Sequence, residues 1–333
     1  MRRGLVLLAA LAALVVAPAA SATSWARPQI QIVVDRGLMG PSVVGFRAQS
    51  PLTRGDLGYA MAALTGEQQV IVDPDRPVSV AQLDARLVSY LGLAPAAYKF
   101  RVGVGKAGLS PPPRVGTETV ARLLRLRFNH PASQDRIELR PGDAVTRAEA
   151  AYSLARLLQL GQGDADRVNS LAGSFSLPRL TAWQDRVLTR AVHFVGYPYI
   201  WGGISEYPQV LFGVPDLGGF DCSGLVWRVY KRPFTGGGAL QFVIRGRTTY
   251  EMSGEVPRTA RIGRLHLAPA DVLFFGDAGP RSTPAQVGHT GIYLGNGWFI
   301  HSSSQGVTLV PFADWYVSQF AWARRPLREA GLS

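Results

Sequence analysis

The chain has 333 residues, 35 lysines and arginines against 23 aspartates and glutamates, a formal net charge of +12 and one cysteine. A single cysteine excludes an internal disulfide and zinc sites built on cysteine pairs, so stability must come from apolar cores. The length allows two domains. The positive charge indicates either an anionic partner or simply a surface of solvated arginines. No basic run interleaved with aromatic residues and no glycine-rich phosphate loop is present, so we expect no nucleic acid partner.

The N-terminus has the pattern of a secretory signal peptide over residues 1–22. Arg2 and Arg3 precede an apolar run, and the small residues Ala20-Ser21-Ala22 follow it as a cleavage site. The run is shorter than the roughly 20 apolar residues that a membrane-spanning helix needs. The sequence therefore predicts an exported protein without a membrane span.

Residues 23–162 alternate short helical patterns with loops rich in proline and glycine, which predicts a small, mainly helical domain. Four hydroxyl residues precede apolar-periodic runs and are candidate helix caps: Thr53, Ser79, Thr117 and Thr146. Glu149 follows the last of them by three positions and would complete a capping box. Residues 163–178 lose the periodicity and are predicted to be a linker.

The frame Val145-Thr146-Arg147-Ala148-Glu149 precedes an Ala/Leu-rich run, and a partial copy of this arrangement lies at Leu52–Leu64. This weak repeat resembles S-layer homology repeats, which are helical modules that hold bacterial proteins to wall polymers. The resemblance implies attachment to anionic wall polymers through basic residues on these helices. The alternative is a generic helical domain, because capping boxes are common.

The only cysteine, Cys222, follows a loop of small residues and begins a helical pattern. One face of this predicted helix carries Leu225, Val226, Val229 and Tyr230. A thiol in the first helical turn is expected to be shifted toward the thiolate by the backbone dipole. Because an unpaired thiol is an oxidation hazard outside the cytoplasm, its presence favours a catalytic role over a buried structural one.

Residues 288–295 alternate as a strand, Asn296-Gly297 is a strong turn signal, and residues 298–301 form the predicted return strand. This hairpin places His289 and His301 near the same end. A cysteine nucleophile needs a base, and the base needs an orienting group. We therefore predict a catalytic site made of Cys222, His289 and His301.

Four segments between about residues 180 and 325 resemble, in the same order, the NlpC-type peptidases, a papain-like family of bacterial cell-wall endopeptidases. These segments are 196–203, 220–226, 269–275 and 288–295 with His301. The resemblance implies that residues 179–328 form an α+β, papain-like cysteine peptidase domain, with an antiparallel sheet packed on helices. The helical domain of residues 23–162 would precede it.

The resemblance also implies roles for individual residues. Cys222 would be the nucleophile, His289 the base and His301 the residue that orients the base. The residues that would bind the peptide stem are Tyr199, Trp201, Asp221 and Ser223. Two alternatives stay open: the two aromatic residues could belong to the core, and the aspartate could serve only as a helix N-cap.

The implied substrate is the stem peptide of peptidoglycan, cleaved between D-γ-glutamate and the following diamino acid, with no metal and no cofactor. We expect a secreted, wall-associated enzyme. The alternatives are an N-acetylmuramoyl-L-alanine amidase, an acyltransferase and an inactive wall-binding protein. Three departures from the family pattern are the long loops 204–219 and 233–260 and Ala270, which stands where a glycine is expected.

Overall fold

The computed structural model of the protein describes residues 24–68, 70–130 and 138–332. The predicted signal peptide lies outside these residues. Within the described residues, no helix combines the length and apolar character needed to cross a membrane.

The first half of the described chain is helical, as predicted. Its helices are α1 (Arg27–Asp35), α2 (Arg54–Thr65), α3 (Val80–Tyr90), α4 (Ala94–Lys106), α5 (Val115–Leu123), α6 (Arg147–Leu157), α7 (Gln162–Ser174) and α8 (Ala182–His193). The side chains of Thr53, Ser79 and Thr146 cap α2, α3 and α6 by accepting the backbone N–H three residues on. Each cap satisfies a donor that the helix itself cannot pair, so these predicted starts are confirmed.

The predicted cap at Thr117 is wrong. Helix α5 begins at Val115, directly after Arg114, and Thr117 lies inside its first turn. The Thr117 hydroxyl donates to the Arg114 carbonyl at 3.0 Å instead of accepting an orphan N–H. The burial of Val115 explains the earlier start, because it extends the apolar face of the helix by one turn.

The predicted capping box at Thr146 forms only in part. The Glu149 N–H donates to the Thr146 hydroxyl at 3.2 Å. The Glu149 carboxylate turns away from the helix start and contacts Arg127 at 3.0 Å and His130 at 3.0 Å. A buried carboxylate is stabilised more by two cationic partners than by one backbone N–H.

The segment predicted as a linker is largely helical, since α7 covers residues 162–174. Val168 and Ala172 are buried on its inner face, and the Asp164 carboxylate accepts the Gly161 N–H at 3.0 Å. The apolar face of this helix is only a few residues wide, so the sequence pattern did not reveal it. The division of the chain into domains stays a prediction.

Three helix starts of the first half meet in a ring of backbone hydrogen bonds. The Leu52 N–H donates to the Val145 carbonyl at 2.8 Å, Val78 to Leu52 at 2.9 Å, and Val145 to Val78 at 2.9 Å. Each of these buried residues directly precedes a capping Thr or Ser. The repeated frame in the sequence therefore corresponds to a three-way arrangement in the fold.

The second half contains the sheets. Its strands are β1 (Ile204–Ser205), β2 (Gln209–Leu211), β3 (Val214–Asp216), β4 (Gly219–Phe220), β5 (Val272–Gly276), β6 (Val287–Gly295), β7 (Trp298–Ser303), β8 (Gly306–Pro311) and β9 (Phe320–Arg324). Its helices are α9 (Cys222–Lys231), α10 (Leu240–Val243), α11 (Thr249–Gly254), α12 (Asp314–Gln319) and α13 (Pro326–Glu329). Strands β5 to β9 form an antiparallel sheet in the order β8-β7-β6-β5-β9. The fold class is α+β, as predicted.

Helix α9 packs on this sheet against β6 and β7. The four residues predicted to share one face of the helix are all buried: Leu225, Val226, Val229 and Tyr230. Full burial of side chains of this size stabilises the fold by about 1.5–3 kcal/mol each. The packing fixes the first turn of α9, and therefore Cys222, against strand β6.

The long loop 204–219 is ordered. Strands β2 and β3 form a small hairpin within it, and β1 pairs with β4 at its base. Glu206 holds the loop to α9, because it accepts two hydrogen bonds from Arg228 at 2.6 and 2.5 Å. The loop 233–260 is also partly helical and contains α10 and α11.

Candidate active site

The backbone around Cys222 depends on the absence of side chains at two glycines. A Cβ atom at Gly224 would lie 1.8 Å from the Gly203 carbonyl oxygen, and one at Gly203 would lie 2.5 Å from the Gly219 carbonyl oxygen. Both distances are far below van der Waals contact, so only glycine permits this approach. The glycines of the segments 196–203 and 218–224 therefore allow the loop at residue 203 to lie directly over the start of α9.

Asp221 is the N-cap of α9 and accepts the Gly224 N–H at 2.5 Å. It also accepts the Ser223 hydroxyl at 3.0 Å and the Gly202 N–H at 3.0 Å. Arg247 closes the group with an ion pair to Asp221 at 2.8 Å. The carboxylate therefore fixes both the helix start that carries Cys222 and the loop beside it.

His289 lies on β6 and His301 on β7, and the predicted turn between them forms at Asn296 and Gly297, which both have positive φ. Ile292 pairs with Ile300, so continuing the register places Gly291 opposite His301 and makes the two histidines diagonal neighbours on one face. His289 Nε2 lies 2.8 Å from His301 Nδ1. The predicted pairing of the two imidazoles is confirmed.

Aromatic rings surround the histidine pair. The His301 ring centroid lies 5.0 Å from that of Phe299 and 5.4 Å from that of Tyr316, and the Phe275 ring lies 5.8 Å from His289. Burial lowers the pKa of His289 to about 4, and burial together with His289 lowers the pKa of His301 well below its usual value. Both imidazoles are therefore neutral at neutral pH.

One of the two tautomeric arrangements of this hydrogen bond leaves a nitrogen of His289 available as a base. A neutral His289 that donates from Nε2 to His301 Nδ1 leaves its own Nδ1 unprotonated, and His301 then carries its proton on Nε2. The Nδ1 atom of His289 can accept a proton. In this arrangement His289 has the geometry of a base, and His301 that of the group that orients it.

The Cys222 thiol lies against strand β6. The backbone N–H groups of Ser223 and Thr290 donate toward its sulfur and lower its pKa, and Thr290 is the residue after His289. Burial and the neighbouring Asp221 outweigh these donors and raise the pKa of Cys222 to about 12. The expectation of a thiolate at rest is therefore wrong, because desolvation of the charged sulfur exceeds the stabilisation from the helix start.

Comparison with known proteins identifies this half of the chain. Residues 196–325 match the family model described as NlpC/P60 family. This part of the C-terminal half is similar to NlpC/P60 domains. The matched residues contain Cys222, His289 and His301. The resemblance of the N-terminal half to S-layer homology repeats lies outside the match and stays a prediction.

Two curated relatives match over the same half. The gamma-D-glutamyl-L-lysine dipeptidyl-peptidase of Bacillus cereus is 31% identical over 148 residues, which are 43% of this chain and 36% of that protein. The murein DD-endopeptidase MepH of Escherichia coli is 33% identical over 141 residues, 41% of this chain and 44% of that protein. The chain thus spans less than half the length of these relatives.

Among solved structures, an NlpC/P60 family protein from Bacillus cereus is 26% identical. The alignment covers 46% of this chain and 42% of that one, with a TM-score of 0.33.

Of the predicted peptide-binding residues of the NlpC/P60 domain, two aromatic ones lie at the rim of the site. Trp201 is 71% exposed and so does not belong to the core. Tyr199 is half-buried, and burial, Cys222 and Asp221 raise the pKa of its hydroxyl, which places the ring beside the thiol. Both side chains are therefore placed as expected for residues in the wall of an open cleft.

The other two predicted peptide-binding residues face inward. Asp221 and Ser223 are 8% and 5% exposed, and their side chains bond each other and Arg247. The structure places them as supports of the helix start, with Asp221 as the N-cap of α9. Their contribution to peptide binding stays a prediction.

Sequence reasoning missed two residues that shape the site. Arg247 donates to Asp221, Ser223 and the Gly202 carbonyl at 2.7–3.2 Å, and in the sequence it is only one residue of the long loop 233–260. Asn129, from the helical half, donates to the Tyr199 carbonyl at 2.9 Å. Nothing in the local sequence indicates that contact.

One group of residues in the described ranges has the spacing of metal ligands, and it lies away from the active site: His130, Glu138 and Glu149. The two ring nitrogens of His130 lie 3.1 Å from Glu138 and 3.0 Å from Glu149. These contacts with the two carboxylates overcome burial and raise the pKa of His130 to about 10. A protonated His130 with Arg127 balances the two carboxylates, so the group is complete as an ion cluster.

Proposed function

We propose that the protein is a peptidoglycan hydrolase, a cysteine endopeptidase that cleaves the stem peptide between D-γ-glutamate and the following diamino acid. The observation that carries this proposal is the 2.8 Å contact of His301 on β7 with His289 on β6, the strand against which Cys222 lies. The NlpC/P60 match and the peptidase names of the relatives support the substrate class.

In the proposed mechanism the resting thiol is protonated. His289 Nδ1 takes the Cys222 proton as the sulfur attacks the carbonyl carbon of the scissile bond. The resulting imidazolium keeps its Nε2–H directed at His301, which holds the ring in place. The carbonyl oxygen becomes an oxyanion, and the Cys222 N–H at the first position of α9 is its proposed donor.

Collapse of the tetrahedral intermediate breaks the C–N bond, and His289 returns its proton to the leaving amine. A water molecule then attacks the thioester, with His289 again as the base, and releases the new carboxyl group and the free thiol. His289 needs to be neutral when the thiol attacks and again when water attacks the thioester, and burial in the aromatic surroundings favours this form.

We propose that the protein is secreted and associated with the wall. The predicted signal peptide and the positive net charge support this location. The ring formed by Leu52, Val78 and Val145 supports a repeat module in the helical half that would hold anionic wall polymers. One basic residue of the repeat is not free for such a role, because Arg147 is buried and bonds Asp56 at 2.6 Å.

The test is a digest of purified peptidoglycan by the protein and by Cys222→Ala, analysed by mass spectrometry. We expect fragments cut after D-glutamate from the protein and none from the variant. Release of intact stem peptides would indicate an amidase instead. Wall binding by both proteins without any released product would contradict the enzyme and favour a wall-binding protein.

A further inference from the structure

A groove of about 690 Å³ lies at the end of α9 opposite to Cys222. A ten-residue helix separates the two places by about 15 Å. The floor and walls come from α8, the loop after α9 and the helical half, with Ser110 and Arg140 contributed by the latter. The groove is thus distinct from the active site, and its size is that of sites for organic ligands rather than single ions.

The groove has an excess of positive charge. Arg140, Arg186, Arg190 and Arg232 line it, against the carboxylates of Asp185 and Glu206. Glu206 is already bound by two hydrogen bonds from Arg228 and lies 3.4 Å from Arg232. Arg140 is paired with Asp143 at 2.8 Å, so among the described residues Asp185 is the lining carboxylate left to balance Arg186 and Arg190.

Two of these arginines bond only neutral groups in the described part of the chain. Arg190 donates to the carbonyls of Val229, Arg232 and Pro233 at 2.6–3.2 Å, and Arg186 donates to the Thr235 carbonyl at 2.6 Å. Backbone carbonyls leave the cationic charge uncompensated. Burial and the nearby Arg232, Arg228 and Arg186 lower the pKa of Arg190 to about 10, which reflects the same crowding of like charges.

The arginines are held in place by aromatic rings. The guanidinium carbon of Arg190 lies 3.3 Å from the Phe234 ring centroid, and that of Arg186 lies 4.3 Å from the Trp183 centroid. Stacking fixes the planes of both groups and reduces the entropy lost on binding. Within residues 24–68, 70–130 and 138–332, Arg186 uses one of its five N–H donors, so the others remain for a ligand.

We propose that this groove binds an oxyanion group, phosphate or carboxylate, carried on a ligand of about the size of a sugar phosphate. Arg186 and Arg232 bond the oxyanion, Arg190 supplies positive charge from below, and Tyr197 and Phe234 contact the body of the ligand. The site does not depend on the proposed hydrolase activity.

The test is calorimetric titration of the Cys222→Ala protein with inorganic pyrophosphate and, separately, with citrate at low ionic strength. We expect saturable binding that weakens as salt is added, because screening reduces the attraction between the ligand and the arginines. Arg186→Gln and Arg232→Gln should each weaken binding about tenfold, since each removes a charge-assisted hydrogen bond. Arg264→Gln, at an exposed arginine outside the groove, is the matched control and should bind as the parent does.

The two probes separate the sources of the oxyanion. Binding of pyrophosphate alone supports a phosphate ligand, binding of citrate alone supports a carboxylate ligand, and both support the proposal. Thermal melts monitored by circular dichroism verify that each variant is folded. Failure of both probes to bind at about 10 mM, or equal weakening by Arg264→Gln, would overturn the proposal.

Discussion

Among the described residues, one site holds a single histidine between carboxylates and another holds a pair of histidines, and the two sites differ in charge. In the helical half, the imidazole of His130 is shielded from solvent between Glu138 and Glu149, and its pKa is raised to about 10. In the NlpC/P60 domain, His289 and His301 contact each other among aromatic rings, and the pKa of His289 is lowered to about 4. The same side chain is thus a cation at one site and neutral at the other.

The difference shows what determines the charge of a buried histidine. Burial lowers the pKa at both sites, and only hydrogen-bonded carboxylates reverse the effect at His130. A charged imidazole completes an ion cluster but cannot accept a proton. A neutral imidazole beside a thiol can, so the absence of carboxylates around His289 in the described structure is what suits it to act as a base.

The largest expected effect comes from removing the neutral base. His289→Ala should reduce the rate of peptidoglycan cleavage about 10³-fold, because the Cys222 proton then has no acceptor. His130→Ala, measured at a temperature where it remains folded, should cleave at close to the parent rate. Initial rates of fragment release by liquid chromatography test both. Equal loss of activity in the two variants would contradict the division of roles.

The next effect is on stability. His130→Leu should lower the free energy of unfolding at pH 7 by about 3 kcal/mol, because it leaves Glu138 and Glu149 buried without their shared cation. The double variant His130→Leu/Glu138→Gln should recover part of this loss. Urea unfolding followed by circular dichroism measures both. A single variant as stable as the parent would contradict the ion cluster.

The two sites should also give opposite dependences of stability on pH. For His289 the folded pKa of about 4 lies below the unfolded value of about 6.5, so its contribution is complete above pH 6.5 and is lost as pH falls toward 4. For His130 the folded pKa is about 10, so its contribution is complete below pH 6.5 and is lost as pH rises toward 10.

A variant of each histidine shows which of the two pH dependences of stability comes from which residue. Between pH 6.5 and 5, His289→Asn should remove at most about 2 kcal/mol of the parent's decline in unfolding free energy. His130→Leu should flatten the decline above pH 7 instead. Urea titrations at several pH values measure these slopes. A parent whose stability did not change between pH 7 and 9 would contradict the raised pKa of His130.

A carboxylate placed at the active site should make His289 resemble His130. His301→Asp should raise the pKa of His289, and the acidic limb of kcat/KM should then move upward from near pH 4 by about one unit or more. His301→Asn is the neutral control and should leave the limb in place with a reduced rate. Rate profiles that coincide for the two variants would show that charge at this position does not control the base.

Much of the fold could be predicted because the signals are local. The caps at Thr53, Ser79 and Thr146 and the Asn296-Gly297 turn each depend on a few adjacent residues. Ala270 is a second local signal. It stands where the family pattern has glycine, and its φ of 69° lies in the left-handed region that glycine adopts readily.

The parts that could not be predicted depend on contacts between distant residues. Arg247 reaches back to Asp221 across 26 positions, and Asn129 reaches the Tyr199 carbonyl across 70. Neither periodicity nor turn chemistry encodes such contacts. The charge of Cys222 was mispredicted for a related reason, because its burial arises from elements far away in the sequence.

The most direct test of this account is the protonation state of each histidine, measured by ¹⁵N NMR of the imidazole nitrogens between pH 4.5 and 8, with signals assigned through single histidine variants. We expect a neutral His289 with its proton on Nε2 above about pH 6, partial protonation only as the pH approaches 4.5, and a fully protonated His130 over the whole range. An imidazolium at His289 near pH 7, paired with a Cys222 thiolate, would contradict it.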